Sequence, residues 1–521
     1  MDTVEQVLSG QQFHEPIFLP SAAVSHLLEL GKEDESKINT LVGEITALQN
    51  RLDGHTRRLA LIKNVLAPIR TLPPEILSLI FHCYVQYRKD DDSELDSLYY
   101  QHLPPAILLS HVCSSWRKIA SHLPSLWTYV PVFTTRKRRC MPGGELLKTW
   151  LTRSNPLCVK LHIKSRDDRD LGPLESSYLD CLLPSSARWQ SLTLDMPFIF
   201  PRHLLERSKI SAPNLETLKL YTRDTISYHS LSALEKAPKL SEVELIGMDL
   251  GIDIWSTFKF PVHQIKALTI FGGSDDADTV QRAVEECPLL EDCSVLLSDY
   301  VVPPRFDAPL KRPNLKSLRI LFGDLQGAPE FLDVFTMPQL TDLEVSHRTM
   351  DPKLVVGDRH NVFRYLTSFQ ERSGFKLRSL IFCNLTLNQL STDEMLRLLR
   401  SIPSIKDLCI RECGMDLEQL SVGLTANPQH EICAPNLTDI DMRKKSSNGT
   451  VSEFGIAIAE MVASRWKPGP DDDGGMIKWP VAKLTSFNLE LGWPLAERAF
   501  IKLQECSLEG MPLGLKCGQQ T

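Results

Sequence analysis

A phrase that returns at a fixed distance constrains this chain more than any other feature. Pro213-Asn214-Leu215-Glu216-Thr217-Leu218-Lys219-Leu220 is followed by Pro238-Lys239-Leu240-Ser241-Glu242-Val243-Glu244-Leu245. The triplets Ile265/Leu268/Ile270, Leu290/Cys293/Val295, Leu315/Leu318/Ile320 and Leu340/Leu343/Val345 continue it. First positions fall at 215, 240, 265, 290, 315 and 340, a step of 25 residues taken five times. Leucines aligned by chance would not hold that step. Related phrases stand at Trp189/Leu192/Leu194, Leu377/Leu380/Phe382, Ile405/Leu408/Ile410, Leu437/Ile440/Met442 and Leu484/Phe487/Leu489, with a weaker copy at Leu157/Leu161/Ile163. The spacing turns alternate side chains of a short strand to one side. One such unit cannot bury its apolar edge alone, so neighbours must stack.

This period and phrase resemble the leucine-rich repeat. The resemblance implies a solenoid over residues 156–515, a horseshoe with a parallel sheet. Helix-like segments such as Thr279–Glu286, Pro329–Phe335 and Asp393–Ser401 would return the chain over the convex side. The family's usual asparagine after the strand is missing; Arg223, Met248, Gly273, Ser298 and Gly323 stand in that region, so the turn must be satisfied differently. Longer spacers at 346–374 and 443–480, the second containing KKSSNGT and GPDDDGG, are expected to leave the solenoid as loops. Between the inward positions, Lys219, Tyr221, Glu242, Glu244, Phe271, Arg319, Asp342 and Glu344 are candidates for a target-facing surface. Acidic residues outnumber basic ones there, which suits a target with basic features; an ordinary solvated sheet face is the competing reading.

Ahead of the repeats lies a different period. Ile38, Leu41, Ile45, Leu48, Leu52, Leu59, Ile62 and Leu66 fall at alternating three- and four-residue steps, with His55 in the slot that no aliphatic holds. That is the 3.5-residue seam of a coiled coil over 36–67. Residues 1–35 show little periodicity and are expected to form a loose arm. The seam fits either a coiled coil with a second chain, a homodimer through 36–66 included, or one long helix folded back on its own protein.

Residues 68–130 carry the most specific pattern. Pro73 and Pro74 preset a first helical turn. Ile76, Leu77, Ile80, Phe81 and Tyr84 then recur on one side, and Leu109, Val112, Trp116, Ile119 and Leu123 form a second apolar stripe. Two short helices cannot bury all that surface against each other, so some should face a partner. Leu72, Pro73, Glu75, Ile76, Leu77, Ile80 and Phe81, then Leu109, Val112, Cys113, Trp116, Arg117, Ile119 and Ala120, then Leu126 and Trp127, resemble the F-box. A heptad helix running into PIRTLPPEIL is similar to a large group of fungal F-box proteins. The departure is the polar insert Gln86–His102.

The F-box resemblance implies a Skp-family linker protein bound to this segment, and through it a cullin scaffold carrying a ubiquitin-conjugating enzyme. Contact candidates are Leu72, Pro73, Glu75, Ile76, Leu77, Ile80, Phe81, Val112, Cys113, Trp116 and Ile119, about half of them expected at the interface and the others in the F-box's own core. The fold class expected is α plus α/β: an N-terminal coiled-coil-like helix, a small helical F-box, a linker over 131–155, then the leucine-rich-repeat solenoid. The function expected is a substrate-recruiting adaptor of a ubiquitin ligase. A non-ligase scaffold, using the F-box or the heptads for assembly, is the alternative.

Composition excludes other classes. Charged residues make up 24% and the net charge is −7 over 521 residues, so overall charge offers nothing to nucleic acid. No apolar run approaches the roughly 18 residues that cross a bilayer, and the opening MDTVEQVLSGQQ lacks the basic and apolar regions of a secretory signal. The thirteen cysteines are scattered, and Cys409 and Cys413 read as packing residues rather than ligands. These features suit a reducing compartment, cytoplasm or nucleus, with no metal or cofactor. Arg136-Lys137-Arg138-Arg139 reads as a solvated connector, with a nuclear-import signal or an anionic-patch reader as the alternatives. No GxxxxGK[ST], HExxH, GxSxG or dinucleotide-binding glycine pattern occurs, so an enzyme is not expected.

Overall fold

The computed structural model describes residues 19–89, 104–134, 143–165, 179–206, 210–222, 234–247, 258–271, 285–297, 310–312, 314–322, 332–333, 335–347, 362–385, 391–427, 432–445, 454–467 and 481–517. The chain divides into two units, residues 1–84 and 85–521. In the first, α1 (Ser21–Val65) is one helix of 45 residues with no buried side chain. The expectation of a loose arm over 1–35 is corrected over 21–35, where the helix starts at Ser21, directly after Pro20, whose own backbone is extended; residues 1–18 lie outside the described residues. Gly31 and Asp34 interrupt the apolar seam without interrupting the helix, and Lys37 supports this stretch by ion pairs to Glu33 (2.9 Å) and Asp34 (3.8 Å). A short 3-10 turn, Pro68–Thr71, then leads into α2 (Pro74–Lys89), which crosses the boundary between the units.

The second unit opens with α3 (Pro105–Val112) and α4 (Ser114–Ser121), followed by β1 (Tyr129–Thr134), α5 (Gly143–Arg153) and β2 (Val159–Ser165). The linker expected over 131–155 is therefore also corrected. Tyr129–Thr134 pairs in parallel with β2, and α5 buries Leu147, Trp150 and Leu151. The strand was hidden because Tyr-Val-Pro-Val-Phe-Thr lacks the recurring leucine phrase; its Pro131 is tolerated in a terminal strand.

Then come β3 (Trp189–Asp195), α6 (Ile199–Leu205), β4 (Thr217–Tyr221), β5 (Glu242–Ile246), β6 (Ala267–Phe271) and β7 (Asp292–Leu297). Next are β8 (Leu310–Lys311), β9 (Ser317–Phe322), β10 (Phe335–Thr336), β11 (Asp342–His347), α7 (Val362–Ser373) and β12 (Ser379–Cys383). The chain closes with α8 (Thr392–Ser401), β13 (Asp407–Arg411), α9 (Leu417–Leu424), β14 (Asp439–Lys444), α10 (Ile456–Trp466), β15 (Ser486–Leu491), α11 (Glu497–Leu508) and β16 (Leu513–Cys517).

Fourteen of these strands form one open parallel sheet in chain order; β8 and β10 pair separately with each other. Thr217, Glu242, Ala267, Asp292, Ser317 and Asp342 are successive partners across it, so one 25-residue step of sequence is one strand of the sheet. The inward positions form its core: Leu218, Leu220, Val243, Leu245, Leu268, Ile270, Leu318 and Ile320 are all buried.

Helices between the later strands pack on one another in series, α7 on α8, α8 on α9, α9 on α10 and α10 on α11. Thr392–Ser401 agrees with the helix expected there, capped by Ser391, whose side chain accepts from the Glu394 N–H. Of Thr279–Glu286, only Glu285 and Glu286 are described, and both are helical. Pro329–Phe335 is corrected at its end, where Phe335 pairs as a strand with Leu310. The spacers 346–374 and 443–480 are not wholly loops: α7 and α10 bury Phe363, Phe369, Met461 and Val462. KKSSNGT beyond Lys445, GPDDDGG, the basic run 136–139, most of the insert 86–102 and the five positions expected to replace the family asparagine lie outside the described residues.

A different asparagine joins the units of the sheet. Asn214 donates its side-chain N–H to the carbonyl of Ala187 (2.9 Å), Asn314 to Pro288 (3.1 Å) and Asn436 to Pro403 (2.9 Å). Each stands in Pro-Asn-Leu immediately before a strand, and each reaches back to the preceding unit. Gln264 makes the same reach to Ala237 (2.7 Å) and Leu240 (3.0 Å). Gly247, just after β5, has φ +78°, and a Cβ there would lie 2.3 Å from the Thr222 carbonyl oxygen. Only glycine fits that approach.

Candidate protein-interaction surfaces

In the first unit, Leu72 is half-buried and Pro73 is exposed, and the Pro73 carbonyl accepts from the Leu77 N–H (3.1 Å) at the start of α2. The apolar residues of α2 divide into two faces. Leu77 and Phe81 are buried one turn apart. Ile76, Leu79 and Ile80 are 42%, 61% and 41% exposed, at the i, i+3, i+4 spacing that puts them side by side. Glu75 is exposed beside them. Among the sequence candidates, Leu77 and Phe81 are thus core residues of this fold, whereas Pro73, Ile76 and Ile80 are surface. Leu79 was not among those candidates; its position three residues after Ile76 was the available signal.

In the second unit, α3 and α4 are joined at Cys113, whose Sγ accepts from the Trp116 N–H (3.4 Å) and caps α4. Arg117 Nε donates to the Ser110 carbonyl (2.9 Å), fixing the angle between the two helices. The Trp127 indole N–H donates to the Ala120 carbonyl (2.7 Å). Trp127 meets the Trp150 ring edge-on at 4.9 Å, with the Arg153 guanidinium 4.6 Å from its centroid. Trp150 in turn donates to the Tyr129 carbonyl (3.1 Å), so the helical pair is fastened to α5 and β1. Val112 is 58% exposed, Leu108 is also exposed, and Cys113, Trp116 and Ile119 are half-buried. Leu108, like Leu79, escaped the sequence reading.

Opposite the leucine core, the other face of the sheet runs in rows, two of them largely polar and a third, through Tyr221, carrying Ile246, Phe271, Leu296 and Leu321. Lys219 Nζ lies 2.9 Å from Glu244 and 3.4 Å from Glu242. The Tyr221 hydroxyl donates to Glu244 (2.8 Å), and burial, then this carboxylate, push its pKa upward. Partial burial opposes the Lys219 charge, but Glu244 and Glu242 hold its pKa above the usual lysine value. These four sequence candidates are therefore brought together and largely satisfy one another. Arg319 and Glu344 pair across neighbouring strands at 2.7 Å. Phe271 is half-buried in the same row as Tyr221, two strands along.

Further along the same row as Lys219, Asp441 accepts from Arg411 (2.7 Å) and Arg443 (3.0 Å). Burial opposes its charge, yet the two guanidiniums hold its pKa below the usual carboxylate range. The adjacent row carries Glu242, Asp292, Asp342, Asp407 and Asp439 on the strands β5, β7, β11, β13 and β14. Asp439 is held down, against the opposing effect of burial, by the hydroxyls of Ser486, Thr438 and Thr485. Asp407 is pushed up by burial and by the charge of Asp439.

Cys409 and Cys413 are buried, and burial pushes the Cys413 thiol up to about 12. Among the described residues no three His, Cys, Asp or Glu side chains gather as metal donors, and no helix is long and apolar enough to cross a membrane.

Comparison with known protein families finds none that matches, and comparison with curated proteins finds none either. Among solved structures, the chain is similar to a Bacteroides fragilis protein with 16% identity and a TM-score of 0.32, over 64% of this chain and 76% of that one.

Proposed function

We propose that this chain is a non-catalytic adaptor of a Skp–cullin–F-box ubiquitin ligase, in which residues 68–130 bind a Skp-family linker and the polar face of the sheet holds the protein destined for ubiquitin-dependent degradation. The observation that carries the reading is the apolar group Ile76, Leu79 and Ile80, left exposed on a helix introduced by Leu72-Pro73-Pro74-Glu75. Helical apolar surfaces of this kind dock in grooves through a few anchors. Val112 and Leu108 supply exposed apolar area in the second unit. The long polar face of the sheet supports a reader role, since stacked repeats use such faces for partners.

Ile76→Asp and Ile80→Asp place charges at positions that are already exposed, so the fold should persist. Co-purification of the full-length chain with a Skp-family protein is expected for the unsubstituted chain and lost in the double variant. Capture that survives both substitutions would remove the proposal. Capture of the linker without any cullin in the same complex would instead favour the scaffold reading.

A further inference from the structure

We infer that α1 pairs with α1 of a second copy of this chain, antiparallel, through the seam Ile38–Ile62. The inference is independent of the adaptor reading. Among the described residues, no side chain of this 45-residue helix is buried, and in water helical segments depend on packing more than on propensity. Its seam aliphatics from Ile38 to Ile62 are each between 47% and 65% exposed. They run about 36 Å along the axis. The 3.5-residue period is the one that keeps such a stripe facing a parallel or antiparallel partner helix over this length.

The seam is self-complementary in one orientation. With the copies antiparallel, Ile38 lies against the partner's Ile62, Leu41 against the partner's Leu59 and Leu48 against the partner's Leu52. His55 then meets the partner's Ile45 rather than another histidine. The flanking charges favour the same arrangement, and such flanking residues set orientation. Reversal places Glu44 beside the partner's Arg58 and Glu35 beside the partner's Lys63, each pair occurring twice by symmetry. Arg51 facing the partner's Arg51 at the twofold axis is the single like-charged contact. A parallel, in-register pair would instead stack His55 on its own copy, place Arg58 beside the partner's Lys63, and form none of those opposite-charge pairs.

The test uses the full-length chain. Sedimentation equilibrium should return twice the mass of 58.9 kDa. Leu41→Cys and Leu59→Cys chains carrying tags of different size are then mixed and oxidised beside the unsubstituted chain, which accounts for the native cysteines. The mixed disulfide is expected to form well above that background. Disulfides joining Leu41→Cys chains to each other would overturn the antiparallel pairing, and a single-chain mass would overturn the pairing altogether. Glu44→Arg alone should weaken the dimer roughly tenfold, with Arg58→Glu in the same chain restoring it. A Glu44→Arg chain that dimerises like the unsubstituted one also counts against the assignment.

Discussion

Arg465 on α10 shows how single side chains organise the far end of the sheet unit. It is 1% exposed and meets carbonyls, not a carboxylate: Nε donates to Leu424 (2.7 Å), Nη1 to Ala434 (3.0 Å) and Nη2 to Cys433 (2.6 Å). Leu424 ends α9, where the helix dipole presents partial negative charge. Burial lowers the Arg465 pKa to about 10, so the charge persists at neutral pH. Arg465→Lys keeps a charge but not the planar fork, and it should cost about 2–4 kcal/mol in urea unfolding because carbonyls are left unpaired. Asp407 invites the opposite substitution. Its folded pKa is raised, so its ionised form destabilises the fold at neutral pH, and that penalty disappears as pH falls below the unfolded value. Asp407→Asn should therefore raise the unfolding free energy in urea modestly at pH 7, by about a few tenths of a kcal/mol for a half-buried group, and give no gain at pH 3.

At the scale of elements, the bonds between successive strands recur as a pattern. Removing the Asn314 reach in Asn314→Ala should cost about 1 kcal/mol, and Asn214→Ala and Asn436→Ala the same. The sites are far apart in the sheet, so a triple variant measured by chemical denaturation should show additive losses. Within the fourteen-stranded sheet, the strands from β3 to β15 were legible because each is marked by three apolar positions that the fold buries. Hidden were β1, whose Val130 and Val132 do the same work without a leucine, and α7, placed inside a stretch read as a spacer. Two of the three residues of the candidate docking group on α2 were legible as well. Apolarity picked out Ile76 and Ile80, but spacing alone could not separate them from Leu77 and Phe81, because both faces of that helix are apolar and only the packed fold shows which is covered.

Among the described residues, the large sheet of the second unit is held by neighbour-to-neighbour pairing. Each interior strand of the sheet bonds only to the strands that precede and follow it within that sheet, so stability should be a sum of local terms. Hydrogen exchange is expected to show the sheet's terminal strands β1 and β16 opening before β5 to β13; uniform protection across all fourteen would contradict this. The order of strands has a further outcome during synthesis. No part of the sheet waits for a distant segment to pass beneath or beside it, so each strand can dock as soon as it clears the ribosome, onto a template that the previous one has already completed.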